Sequence, residues 1–205
     1  MLPTFTDLLV RLFTLAVAFT VHELAHAGVA VALGDETPRR AGRLTLNPVA
    51  HLDPVGTLFF LLSGFGWAKP VPVNPYALRR RDGMLWVALA GPLSNLGLAV
   101  LAGALWRLAP WAGTAYGPLA QGLSGFVWLN LILFFFNLLP LPPLDGAKVL
   151  AELAPRFWHD YLAPLEPYAP AVFLLVVFAL PMLGLDVLHW LVARPAWMLS
   201  RWLLG

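Results

Sequence analysis

Thr20-Val21-His22-Glu23-Leu24-Ala25-His26 stands inside an otherwise apolar run, residues 8–33. A bilayer crossing takes about 20 such residues, and this run is long enough. In a helix, residues four apart share a face, so His22 and His26 point the same way. Ionisable side chains at that depth are costly and persist where they have partners or a task. The stretch therefore implies two things together, a membrane-spanning helix and a polar site built into it.

Composition agrees. Of 205 residues, 60% are hydrophobic and 12% charged, where soluble domains carry about 25% charge. Mean hydropathy is +0.75. The expected fold is an all-α polytopic membrane protein of about four to five transmembrane helices. There is no cysteine, which excludes disulfides, a thiolate nucleophile and any Cys-type metal site. The pI of 9.3 comes from few charges, with a net of only +2, so no nucleic-acid surface is expected. Nine tryptophans suit a protein with much lipid interface. Met1 to Asp7 carries no basic residue and no small-x-small cleavage site follows, so the first segment reads as retained.

Three core helices are expected, at about 8–33, 84–109 and 123–145. Thr6 or Asp7 can cap the first, and Gly34 ends it. Gly91-Pro92 should kink the second. The third must unwind at Pro140-Leu141-Pro142-Pro143-Leu144-Asp145-Gly146. Between the first two lies an insert, about 44–75. Leu44-Thr45-Leu46-Asn47-Pro48 alternates like a strand, and Pro70-Val71-Pro72-Val73-Asn74-Pro75 is extended. The apolar piece between them, residues 55–67, is too short to span and reads as re-entrant or interfacial. A small β/re-entrant insert of this kind must be buried in protein or line a cavity. An uncharged loop covers 110–122, and a mixed interfacial stretch covers 147–168. A C-terminal span and an interfacial helix fill about 169–204, where Trp190, Arg194, Trp197, Arg201 and Trp202 cluster. Residues 1–205 read as one domain. The 35–82 segment carries Arg39, Arg40, Arg43, Lys69, Arg79, Arg80 and Arg81, which sets the end of the first helix in the cytoplasm.

Two neutral imidazoles at i, i+4 can grip one zinc ion, and Glu23 beside them can take a proton from water at the metal. Counting back from Gly34, the pair lies roughly 12–18 Å below the cytoplasmic helix end. A third ligand is needed. Asp145 is the best candidate, because it follows the unwinding prolines at the same side of the membrane and Gly146 lets the backbone come close. Asn95 and Asn137 are amides within apolar spans. Either can assist an oxyanion or clamp substrate, or simply glue helices together. Residues 44–47 and 71–74, with Asn47 and Asn74, can hold an extended substrate as an added strand. His51 is a group beside the site or, more simply, a structural loop histidine. His159 and His189 lie in interfacial segments and read as non-catalytic.

The chain resembles the site-2 proteases, zinc metalloproteases that cut inside the membrane. His22-Glu23-Leu24-Ala25-His26 carries the resemblance, with Gly91-Pro92-Leu93-Ser94-Asn95 and Asn137-Leu138-Leu139-Pro140 leading to Leu144-Asp145-Gly146. Leu46-Asn47-Pro48, His51-Leu52-Asp53-Pro54-Val55-Gly56 and residues 66–75 look like the compact bacterial and archaeal branch. The resemblance implies one Zn2+ held by His22, His26 and Asp145, with Glu23 as catalytic base. It also implies that Asn137, Pro140 and Asn95 help seat the substrate. The implied substrate is a transmembrane protein segment cut in regulated intramembrane proteolysis. The implied location is a prokaryotic cell membrane, with the active site in the lipid bilayer nearer the cytoplasm. The chain has no room for the PDZ or CBS modules of larger members, and Ala147 stands where the family often has a second glycine.

Two rival classes keep the same residues. A metal or proton transporter also buries His, Glu and Asp along an ion pathway. A non-catalytic metal-binding scaffold would need the ligands but not Glu23.

Overall fold

The computed structural model describes residues 5–63, 66–108 and 118–205. Much of the uncharged loop expected at 110–122 lies outside these residues. Helix α1 spans Phe5–Ala32, so Thr6 and Asp7 sit within its first turn instead of ahead of it. Gly34 ends the helix at φ 111°, a conformation open to glycine. Its N–H donates to the Val31 carbonyl at 3.0 Å, and the Asp35 N–H donates to that of Ala30 at 2.9 Å. These bonds satisfy carbonyls that a helix end leaves open. The buried Asp35 carboxylate then accepts the N–H groups of Thr37 at 2.9 Å and Asn74 at 2.7 Å. A short helix α2, Thr37–Arg40, follows.

Among its described residues the insert holds one α-helix, α3 (Pro54–Ser63). Asp53 Oδ1 accepts the Gly56 N–H at 2.8 Å and so caps it. The returning chain crosses α3 at Gly56, where a Cβ would collide with the Trp67 carbonyl. Among the described residues no strand forms. The expected β content is a single antiparallel bridge, Leu52 with Ala68, beside a 2.7 Å bond from the Lys69 N–H to the His51 carbonyl. Pro48, Pro70, Pro72 and Pro75 have no N–H to give a longer ladder. Arg43 is buried and closes the base of the hairpin. Its guanidinium donates to the carbonyls of Ala50 (2.6 Å), Lys69 (3.0 Å) and Pro70 (2.8 Å).

Helix α4 (Gly83–Leu108) is continuous through Pro92 and packs against both α1 and α5 (Pro118–Asn137). Ala99, Ala102, Val127 and Leu131 form the buried centre of the bundle. The third core helix was expected to reach residue 145. It stops at Asn137, the chain unwinds over 138–144, and Asp145 instead begins a new helix, α6 (Asp145–Leu153). Gly146 makes that restart possible, since a Cβ there would strike the Leu138 carbonyl.

The C-terminal third departs further. A helical run covers Pro155–Met182, so the mixed stretch of residues 155–168 is continuous with the apolar segment that follows it. Within it, α7 (Pro155–Phe157), α8 (Ala169–Leu174) and α9 (Leu180–Met182) are joined by π and 3-10 turns. Pro164, Pro167 and Pro170 lack the N–H that regular α bonding needs, and the tighter or wider turns absorb the mismatch. The last helix, α10 (Arg194–Leu204), is packed on the bundle. Val192, just before it, packs with Leu139 and Leu144. At its other end, Leu203 packs on Gly103, and its carbonyl accepts from Arg107 Nε at 2.8 Å. The segment therefore runs antiparallel along α5. Ala196, Ser200 and Leu203 are its buried face, while Arg194 and Arg201 lie over the rings of Trp190 and Trp197 on the outer one.

Among the described residues, four helices are long and apolar enough to cross a membrane: Leu9–Ala32, Gly83–Leu108, Ala120–Asn137 and Pro155–Met182. The protein is an all-α integral membrane protein.

Candidate metal centre

Three helices meet at one buried point. His22 and His26 come from α1, Asp145 from the first turn of α6, and α4 lies across them. His22 Nε2 stands 3.0 Å from His26 Nε2. Asp145 Oδ2 is 3.2 Å from the first and 3.1 Å from the second. All three side chains are buried, as is Glu23.

The outer ring nitrogens decide what this cluster can hold. His26 Nδ1 is 2.6 Å from the Val87 carbonyl. A carbonyl only accepts, so Nδ1 carries the proton and Nε2 is bare. His22 Nδ1 is 2.6 Å from Asn95 Oδ1, again an acceptor. In their neutral forms the two rings thus turn imidazole lone pairs toward the carboxylate oxygen. Such a set repels itself until a cation sits in it, and two His with one carboxylate is the set of a catalytic zinc with a fourth position open. Space is reserved as well. A Cβ at Gly91 would fall 2.6 Å from His22 Nε2 and nearer still to His26 Nε2. The residues fit the ion.

Further contacts hold the frame. Lys148 Nζ lies 3.2 Å from Asp145 Oδ1, which leaves Oδ2 to face the histidines. Asn95 Nδ2 donates to the Ala18 carbonyl at 3.3 Å and to Asn130 Oδ1 at 2.9 Å. Glu23 Oε2 accepts the backbone N–H of Val71 at 3.1 Å. The extended piece of the insert therefore crosses directly over the acidic residue.

The structure brings His22, Glu23, His26, Asp145 and Asn95 together. It gives the other candidates local partners. Asn137 Nδ2 donates to the Leu133 carbonyl of its own helix, and Pro140 is exposed in the unwound turn. Asn47 Oδ1 accepts the Val49 N–H and Asn74 Oδ1 the Tyr76 N–H, each capping a single 3-10 turn. His51 is fully buried, with Nε2 2.8 Å from the Thr45 carbonyl. Sequence reasoning passed over Val87, Lys148 and Asn130 as parts of the site, and gave Gly91 and Val71 no contact with the histidines or Glu23. Of the three passed over, only Asn130 left a usable signal: it sits seven residues before Asn137, another amide in an apolar helix.

Comparison with known proteins points the same way. Residues 112–180 match the model of peptidase family M50, a stretch that contains Asp145. The chain is 48% identical over 180 residues to YwhC of Bacillus subtilis, covering 82% of this chain and 80% of that one. It is 34% identical over 184 residues to Rip2 of Mycobacterium tuberculosis (85% and 70%) and 32% over 171 residues to MJ0611 of Methanocaldococcus jannaschii (81% and 82%). Each of these relatives bears the name "Putative zinc metalloprotease". No solved structure matches the chain.

Proposed function

The chain belongs to peptidase family M50 and is a zinc metalloprotease, and from that premise we propose that it cleaves transmembrane segments of other membrane proteins within the bilayer. One observation carries the proposal. The bare acceptors of His22, His26 and Asp145 converge beside Glu23, on α1 and beside α4, both long and apolar enough to cross a membrane.

His22, His26 and Asp145 would hold the ion, and Gly91 keeps the space they share open. Zinc bound there supplies Lewis acidity, which polarises a peptide carbonyl and acidifies water. Glu23 then does the proton work. Its carboxylate takes a proton from the attacking water and returns it to the leaving amine as the C–N bond breaks. Asn95 belongs to this machinery through His22, since both its N–H groups are spent on Ala18 and Asn130. Neither is left for an oxyanion. The extended segment around Val71 lies over Glu23 and is the natural place for a substrate backbone to be held. By the charge of the 35–82 segment, the site lies nearer the cytoplasmic side.

The test pairs wild type with Glu23→Gln in liposomes, reading bound zinc and cleavage of a transmembrane test substrate. We expect about one zinc in both, and a loss of cleavage of at least about 100-fold in the variant. Cleavage that survives Glu23→Gln overturns the assignment.

A further inference from the structure

Asn130 is fully buried in the middle of α5, and no reaction step uses it. Its hydrogen bonds nevertheless run in one direction, and that direction ends at the metal centre. The Phe126 carbonyl can only accept, so Asn130 turns Nδ2 toward it at 2.9 Å and Oδ1 away. Asn95 Nδ2 donates to that Oδ1 at 2.9 Å. Asn95 must then show Oδ1 to His22 Nδ1, 2.6 Å away, which must carry the proton. His22 Nε2 is left bare toward His26 and Asp145. The polarity of the whole relay is set by a backbone carbonyl on a helix that contributes none of the cluster's three residues.

We propose that Asn130 is a positioning residue for the metal: through Asn95 it fixes the tautomer in which His22 presents a bare Nε2. Ala18 also accepts from Asn95, but at 3.3 Å it is the weaker hold. Without Asn130, the Asn95 amide can turn over and offer N–H to His22, which drives the proton to Nε2 and opposes the ion. The plain alternative is that Asn130 only glues α4 to α5. In that case its loss would affect folding and leave the ion alone.

The inference rests on the zinc reading, and the experiment separates the two. Metal-free wild type, Asn130→Leu, Asn95→Leu and the double variant are purified in detergent and titrated with zinc against a competing chelator. We expect Asn130→Leu to bind zinc about ten-fold more weakly, as loss of a group that orients a ligand does. Asn95→Leu should lose at least as much. The double variant should be no weaker than Asn95→Leu, because one path is cut twice. Asn130→Asp keeps an acceptor that obliges Asn95 to donate, and should restore wild-type affinity. Asn130→Ser, too short to reach Asn95, replaces the leucine variant if that one does not fold. Undiminished affinity in the disrupting variant, losses that multiply in the double variant, or Asn130→Asp as weak as Asn130→Leu would each overturn the relay while leaving the zinc reading intact. Wild type that binds no zinc brings down both.

Discussion

The backbone N–H of Val71 reaches Glu23 Oε2 at 3.1 Å, across 48 positions of sequence. Val71 lies between two prolines, so its N–H is the only donor that Pro70-Val71-Pro72 has to give. The insert thus touches the acidic residue through a backbone bond, and among substitutions at this position only Val71→Pro takes the donor away. Bonds to ionised groups are worth about 1.5–3 kcal/mol, so we expect cleavage to fall by about ten-fold or more. Bound zinc, measured on the same sample, should stay at the wild-type level.

Gly91 separates helix stability from metal binding. In an α-helix, alanine is more favourable than glycine by about 1 kcal/mol. Here its methyl group would press against both Nε2 atoms. The rings must shift to admit it, so Gly91→Ala should keep the helical content of the protein while zinc content and cleavage collapse. Metal analysis beside circular dichroism checks it.

Lys148 holds the outer oxygen of Asp145 at 3.2 Å, but about half of its side chain is exposed. Exposed pairs contribute about 0.2–1 kcal/mol, so Lys148→Met should weaken zinc binding by no more than about five-fold. The chelator titration described for Asn130 reads this directly. A larger loss would mean that the lysine does more than orient the carboxylate.

Asp35 ties the far end of the strap to α1 by accepting the Asn74 N–H at 2.7 Å. Burial works against its charge, but the Thr37 side chain, the Asn74 and Thr37 N–H groups and Arg40 outweigh that and hold the carboxyl below its ordinary value of 3.8. A lowered value means a contribution present above the unfolded value and lost only as pH falls through the folded one. Protection of the Asn74 amide from hydrogen exchange, corrected for intrinsic rate, should stay flat from neutral pH to about pH 4 and fall below it. In Asp35→Asn, the amide should exchange faster at neutral pH and lose that acid step.

What the sequence made legible follows from range. The i, i+4 pair is a local rule, so His22 and His26 could be placed on one face from spacing alone. Asp145 is 119 positions from His26, yet membrane topology puts both at one side and so substitutes for a long-range contact. Arg43 looked like one more cytoplasmic charge, because counting charges cannot tell a solvated guanidinium from one buried under three carbonyls. Trp190, Trp197 and Trp202 marked the outer face of the last helix, while Ala196, Ser200 and Leu203, at helical spacing on the opposite face, marked the side that packs on the bundle. The insert failed as a sheet for a reason written in its prolines: a segment can be extended and still lack the donors that pair strands.

Arg43 has one more consequence. By joining Ala50 to Lys69 and Pro70 it pins the chain where it leaves for α3 and where it comes back. What lies between is a cassette with a fixed mount. Lengthening such an excursion costs only slowly, with the logarithm of its size. The tip can therefore be exchanged for another of different length or greasiness while the strap stays registered on Glu23. The excursion and the strap over Glu23 can then change independently of each other.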